Sequence, residues 1–160
     1  MMASMCVFHN VPIYTQAMTW ACWYTAFSMM VDYERSRKRG RGLTHPADDA
    51  YARGLYDANQ GIGKDSTERE RVARALGFQC IFASMSADGM LELLSRAPVI
   101  YAGHWPGEAA GHWVVLIGIS ELTLVSNNPD PSMRRHVMDY DRFAGEYLLQ
   151  SAERPLIVPP

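Results

Sequence analysis

Gln16-Ala17-Met18-Thr19-Trp20-Ala21-Cys22-Trp23 puts a carboxamide, a thiol and two indoles at the point where the chain turns from extended to helical character. Before it, residues 6–14 (CVFHNVPIY) mix β-branched and aromatic side chains with Pro12, which suits an extended edge segment. After it, Cys22, Ala26, Met29, Met30 and Tyr33 recur at helical spacing, and charges enter only at Asp32 and Glu34. The spacing predicts a helix over 21–37, buried at its start, with Cys22 in its first turn.

Arg35, Arg37, Lys38, Arg39 and Arg41 put five cations in seven positions at the end of that helix, where they suit the negative pole of its dipole. Gly40 and Gly42 stop it. This run reads as a solvated helix end, with a docking patch for an acidic partner or nucleic acid as the alternative. Thr44-His45-Pro46 opens a second helix over 46–58, with Pro46 at a permitted first-turn position. Asp65 with Glu68, overlapping Thr67 with Glu70, gives capping-box spacing for a third helix that Gly77 closes.

Beyond Gly77 the period shortens. Residues 78–83 read as a strand, Ser86 caps a short helix to about 95, and 98–102 read as another strand. Residues 112–119, 122–126 and 135–138 add three more, the first two joined tightly at Ser120-Glu121. The tail, Arg154-Pro155-Leu156-Ile157-Val158-Pro159-Pro160, is apolar enough to dock on the body. A helical N-terminal half followed by an antiparallel C-terminal sheet is an α+β arrangement.

With 160 residues, 48% of them apolar and 20% charged, residues 1–160 are expected to form one domain around a sizeable core. A net charge of -2 provides no global basic field, so no nucleic-acid partner is expected. No run has signal-peptide character or membrane-spanning length, so no membrane partner is expected either, and composition leaves the localisation unknown. Ahead of Gln16 there is no room for an inhibitory pro-segment, so a protease of this sequence is expected to be a mature form or to be controlled by other means. Three cysteines, Cys6, Cys22 and Cys80, are too few and scattered for a disulfide framework. Cys6 and Cys80, lacking a helix start, read as inert small hydrophobes.

Cys22 differs because the first turn of a helix, with an imidazolium beside it, lowers a thiol's pKa toward the thiolate form that attacks carbonyls. The imidazole must come from elsewhere. His112, ninety positions on and at the mouth of a strand, is the best placed. His104 is its rival, since it also follows Gly and precedes Trp, but it reads as part of a loop on the cleft rim. Acyl transfer also needs donors for the oxyanion, and the Gln16 amide with the Cys22 N–H can supply them. An acceptor on the far imidazole nitrogen is required as well, and Asn127, Asn128 and Asp130 all lie within reach of the neighbouring strand end. Asp130 and Asp139 also read as turn and cap residues. Trp20, Trp23 and Trp105 suit either a groove wall or core packing. A zinc site from His104, His112 and a cysteine lacks ligand spacing.

Together these residues resemble papain-like cysteine peptidases. Gln16, then Cys22 six positions on and Trp23 directly after it, is similar to that family's oxyanion glutamine and nucleophile, and Ala26-Phe27-Ser28 to the helix that follows. His112-Trp113-Val114-Val115-Leu116-Ile117-Gly118 resembles the family's histidine strand, although Trp113 is bulky for its position. Asn128-Pro129 resembles the Asn-Pro or Asp-Pro that carries the third residue in compact bacterial members, such as staphopains and bacteriocin-leader peptidases. On that pattern Asn128 is preferred to Asn127.

The resemblance implies a papain-like fold and a cofactor-free cysteine peptidase acting on a protein or peptide through Cys22, His112, Asn128 and Gln16. The short Cys22-to-His112 separation points to the compact bacterial branch, which includes secreted effectors and interbacterial toxins. A domain of that kind would be delivered as part of a larger protein and met by a neutralising immunity or inhibitor protein. Peptidoglycan amide hydrolysis, deamidation and transglutamination use the same Cys-His chemistry and remain alternatives. A catalytically silent binding module is the alternative of another class.

Overall fold

The computed structural model describes residues 6–63, 67–82, 86–151 and 153–160. Its element order is β1 (Cys6–Phe8), α1 (Cys22–Ser36), α2 (Ala50–Asp57), α3 (Thr67–Ala75), β2 (Gln79–Ile81), α4 (Ala87–Arg96), β3 (Val99–Trp105), β4 (Glu108–Ser120), β5 (Thr123–Asn127), β6 (Arg135–Asp139) and β7 (Leu156–Val158). Helices dominate the first half and an antiparallel sheet the second, so the molecule is α+β. The strand order is β2-β7-β3-β4-β5-β6, with β1 paired to the far end of β4.

The long β4 is the spine of the sheet, and residues 113–119 of it are all buried. A strand covered on both faces reads as an unbroken apolar run, because helices or loops lie against either side. Trp113, Val115 and Ile117 pack with α1 in one core, while Val114 and Leu116 pack with Leu94 of α4 and with Phe143 and Tyr147 in the other.

Several elements differ from the sequence reading. Pro46 opens only a short turn, Pro46–Asp48, because Asp49 is extended and its carboxylate caps a fresh helix by accepting from the Ala52 N–H at 2.9 Å. The strand expected over 98–102 continues through His104 and Trp105 and meets β4 at a Pro106-Gly107 turn, where Gly107 takes a φ of 84°. The histidine strand accordingly begins at Glu108, and His112 lies within it. Leu156–Val158 does more than dock, since it inserts between β2 and β3. Residues 140–150, not assigned from sequence, wind into successive helical turns, capped by Asp139 through the Arg142 N–H. The expected cap Asp65 and the expected strand residue Ala83 lie outside the described residues. Cys6 is exposed, contrary to its reading as a small hydrophobe, because β1 pairs at the outer end of β4. Cys80 is half-buried, and burial pushes its thiol up.

At the end of α1 the cations face solvent, except that Arg39 folds back to pair with the buried Glu34 at 3.0 Å. Among the described residues no helix is long and apolar enough to cross a membrane.

Candidate active site

Cys22 opens α1 behind Ala21, which provides no side-chain cap, and no acidic residue occupies the first turn. The N–H groups of Cys22 and Trp23 therefore point outward at the positive end of the helix. Both lie close enough to the Cys22 sulfur to favour its thiolate, and so does the backbone N–H of Trp113, the residue after His112. The thiol-bearing helix and the imidazole-bearing strand thus meet at the sulfur. Cys22 is 8% exposed, and this burial pushes its thiol up to about 11 against the pull of the three N–H groups.

His112 is aimed by a bulge. Between the pairs Gly103 with His112 and Trp105 with Glu108, one residue of β3 stands opposite residues 109–111 of β4. Gly111 takes a φ of 86° at the end of this bulge, a conformation that an L side chain resists. The Trp105 ring lies edge-on to the imidazole, with centroids 5.6 Å apart, and is itself packed on Tyr147.

His112 Nε2 lies 2.7 Å from Asn128 Oδ1. The same oxygen accepts the backbone N–H of Asp130 at 2.9 Å, which can only donate, so the amide is oriented with its oxygen toward both. Nε2 must then carry the hydrogen in that bond, and Nδ1 is left with the lone pair of a neutral ring. Asn128 is fully buried, and its Nδ2 has no partner among the described residues.

Of the three acceptors weighed from sequence, only Asn128 is bonded to the imidazole. Asn127 turns away and donates to the carbonyls of Val11 at 3.0 Å and Pro12 at 3.3 Å, tethering the segment that leads to Cys22. Asp130 accepts from the Ser132 N–H and hydroxyl, and those bonds hold its carboxyl below the usual range, with the nearby His112 adding to the effect. Gln16 sits beside this corner, its backbone N–H donating to the Pro129 carbonyl at 2.8 Å. Its Nε2 donates one hydrogen to the Thr19 carbonyl at 3.1 Å and keeps a second.

His104 belongs to β3, and its backbone N–H donates to Ser151 Oγ at 3.0 Å; Trp105, the next residue, is the one that contacts His112. Trp20 packs on Tyr56 with centroids 5.1 Å apart, while Trp23 is wholly buried. Trp105, weighed from sequence as groove wall or core packing, lies in the core and covers the imidazole, which only the pairing of β3 with β4 brings about. Among the described residues no cluster of three or more His, Cys, Asp or Glu side chains could hold a metal.

A thiol at a helix start, and an imidazole held by an amide on a neighbouring strand, are the groups that thiol-hydrolase chemistry needs. The family model described as papain-like cysteine protease AvrRpt2 matches residues 5–147, and the chain belongs to that family. It is a cysteine protease with a papain-like α+β fold. Comparison with curated proteins finds no match. The chain is similar in fold to the peptidase domain of Streptococcus ComA, a bifunctional ABC transporter involved in quorum sensing, at 19% identity and a TM-score of 0.57, covering 94% of this chain and 100% of that one. It is also similar to a double glycine motif protease from an AMS/PCAT transporter, crystallised with the leader peptide, at 14% identity and a TM-score of 0.52, covering 95% and 92%. The Streptococcus mutans ComA peptidase domain matches at 18% identity and a TM-score of 0.50, covering 91% and 96%.

Proposed function

We propose that this protease cleaves peptide bonds in an extended protein substrate with Cys22 as nucleophile, His112 as base and then acid, Asn128 as orienting residue, and Gln16 with the Cys22 N–H as oxyanion donors. His112 Nδ1 takes the thiol proton as Sγ bonds to the carbonyl carbon. The negative oxygen is received by the Cys22 N–H and the second Gln16 amide hydrogen. Collapse breaks the C–N bond, Nδ1 passes its proton to the departing amine, and a thioester stays on Cys22. Water activated by the same imidazole then releases the acid.

The observation that carries this reading is the Asn128 oxygen shared by His112 Nε2 and the Asp130 N–H, which leaves Nδ1 as the proton acceptor. The compact Cys22-to-His112 separation supports a delivered bacterial effector or toxin as the setting, with a neutralising protein as its partner.

The test is mapping of new protein termini in cells that express the active chain or its Cys22→Ala variant. Neo-termini confined to the active chain are expected. Mass shifts on intact proteins, without new termini, would move the reading to deamidation or acyl transfer.

A further inference from the structure

The residues that directly follow Cys22 and His112 are both tryptophans, and both are buried, at 0% and 1% exposure. A buried indole N–H needs an acceptor. Trp23 Nε1 donates to the Gln60 carbonyl at 3.0 Å, and Trp113 Nε1 donates to the Ile62 carbonyl at 2.9 Å. Two carbonyls two residues apart on one short loop therefore receive one bond from the nucleophile's neighbour and one from the imidazole's neighbour.

The loop is shaped for this place. A Cβ on Gly61 would meet the Trp20 Cβ at 3.3 Å, and one on Gly63 would lie 3.5 Å from the Ala110 carbonyl oxygen. Trp20 is two residues before Cys22, and Ala110 is two before His112, so the loop touches both arms of the site on either side of the reacting residues. Asn59, with a φ of 57°, turns the chain into it.

We infer that Trp23 and Trp113 are positioning residues that act in series, through the backbone of loop 59–63, to hold the Cys22 end of α1 in register with the His112 segment of β4. This rests on the roles proposed for Cys22 and His112. A series link fails when either of its bonds is lost, so loss of both adds nothing further. Two tryptophans that merely fill the core would instead lower the thermal midpoint without singling out the neutral-pH rate.

The experiment follows iodoacetamide alkylation of Cys22 between pH 6 and pH 11, with thermal midpoints, in Trp23→Phe, Trp113→Phe and the double variant. Phe keeps a ring and removes the N–H. The expected result for each single variant is a fall of about tenfold in the neutral-pH rate, where attack needs an imidazole in register, and an unchanged rate above about pH 10. The double variant should match either single one. An unchanged neutral limb, or a double loss equal to the product of the singles, overturns the proposal. Insertion of one glycine after Gly61 keeps both tryptophans and lengthens the link, and it should cost the same neutral limb; no effect there overturns the proposal as well. His112→Ala separates the two readings: if it leaves the wild-type neutral limb intact, the Cys22–His112 assignment fails, whatever the tryptophan variants do.

Discussion

His112 and Asn128 form a 2.7 Å hydrogen bond from which water is nearly excluded, for the imidazole is 6% exposed and the amide fully buried. Because the Asp130 N–H shares the acceptor oxygen, the bond can exist in only one tautomer of the neutral ring. The arrangement holds the ring in orientation and stabilises the positive charge it gains during attack. Replacing Asn128 with Ala is expected to lower kcat by about 10²- to 10⁴-fold with little change in KM, since the ring loses its tautomer and not its substrate contacts. Asn128→Asp is expected to retain activity. It keeps the acceptor oxygen for His112 and replaces the unpartnered Nδ2 with a second carboxylate oxygen, whose charge stabilises the imidazolium formed during attack. Steady-state kinetics across pH check both outcomes.

The adjacent asparagine should respond in the opposite way. Asn127 uses its Nδ2 as a donor to two backbone carbonyls, so an aspartate there would set a carboxylate against the Val11 and Pro12 oxygens. Asn127→Asp is expected to destabilise the fold more than Asn127→Ala, which costs about 1–3 kcal/mol for the donor lost to buried acceptors. Denaturant unfolding of the two variants measures the difference. Equal stability of the two variants would mean that the carboxylate meets no repulsion there, and wild-type stability in Asn127→Ala would mean that the bonds contribute nothing.

That contrast also marks how far the sequence could be read. Cys22 and the histidine strand were legible because helical periodicity, an apolar run and a thiol at a helix start are local patterns. The choice between Asn127 and Asn128 was not local. Strand alternation says that neighbours face opposite ways, but which way depends on the register of β5 against β4, which shifts between Leu116 and Gly118. The bulge before His112 was hidden for a similar reason, because Ala109 and Ala110 have no turn signature and only the pairing with β3 shows them to be extra. Leu156–Val158 looked like a docking tail because three apolar residues cannot name the two strands between which they insert.

The bulge leads to a comparison between two glycines. Gly107 and Gly111 have nearly the same positive φ, 84° and 86°, so alanine at either strains the backbone by about 1–2 kcal/mol. Gly107 lies at the hairpin tip, where an added Cβ meets nothing within 4 Å. Gly111 directly precedes His112. Both variants should lose a few degrees of thermal midpoint, roughly 2–4 °C per kcal/mol for a chain of this size. Only Gly111→Ala is expected to lose activity as well, by about tenfold or more as the imidazole is re-aimed. Parallel melting and turnover measurements distinguish this from a general effect of strain.

The pH behaviour of Cys22 follows from its burial. With burial pushing the thiol up to about 11, roughly one molecule in ten thousand would be thiolate at pH 7. Burial disfavours the anion, and a cationic imidazole favours it; with His112 neutral the first effect dominates, and with the proton moved to His112 the second opposes it. In His112→Ala the rate of alkylation by iodoacetamide should therefore climb about tenfold per pH unit from neutrality and level off only as pH passes about 11. In the wild type the rate near pH 7 should exceed that of the variant, because the imidazole can take the thiol proton. The sign for stability is the same as for any acid whose pKa rises on folding. The protonated thiol is the form the fold prefers, so Cys22 contributes fully below its unfolded value near 9, and the contribution is lost as pH rises through about 11. Cys22→Ser, which keeps a small polar group and has no thiol to ionise, should flatten the decline in stability between those two values. Unfolding measured at pH 8, 9.5 and 11 in both proteins tests this, and an identical decline in the two would show that other groups, such as the buried tyrosines, govern alkaline unfolding.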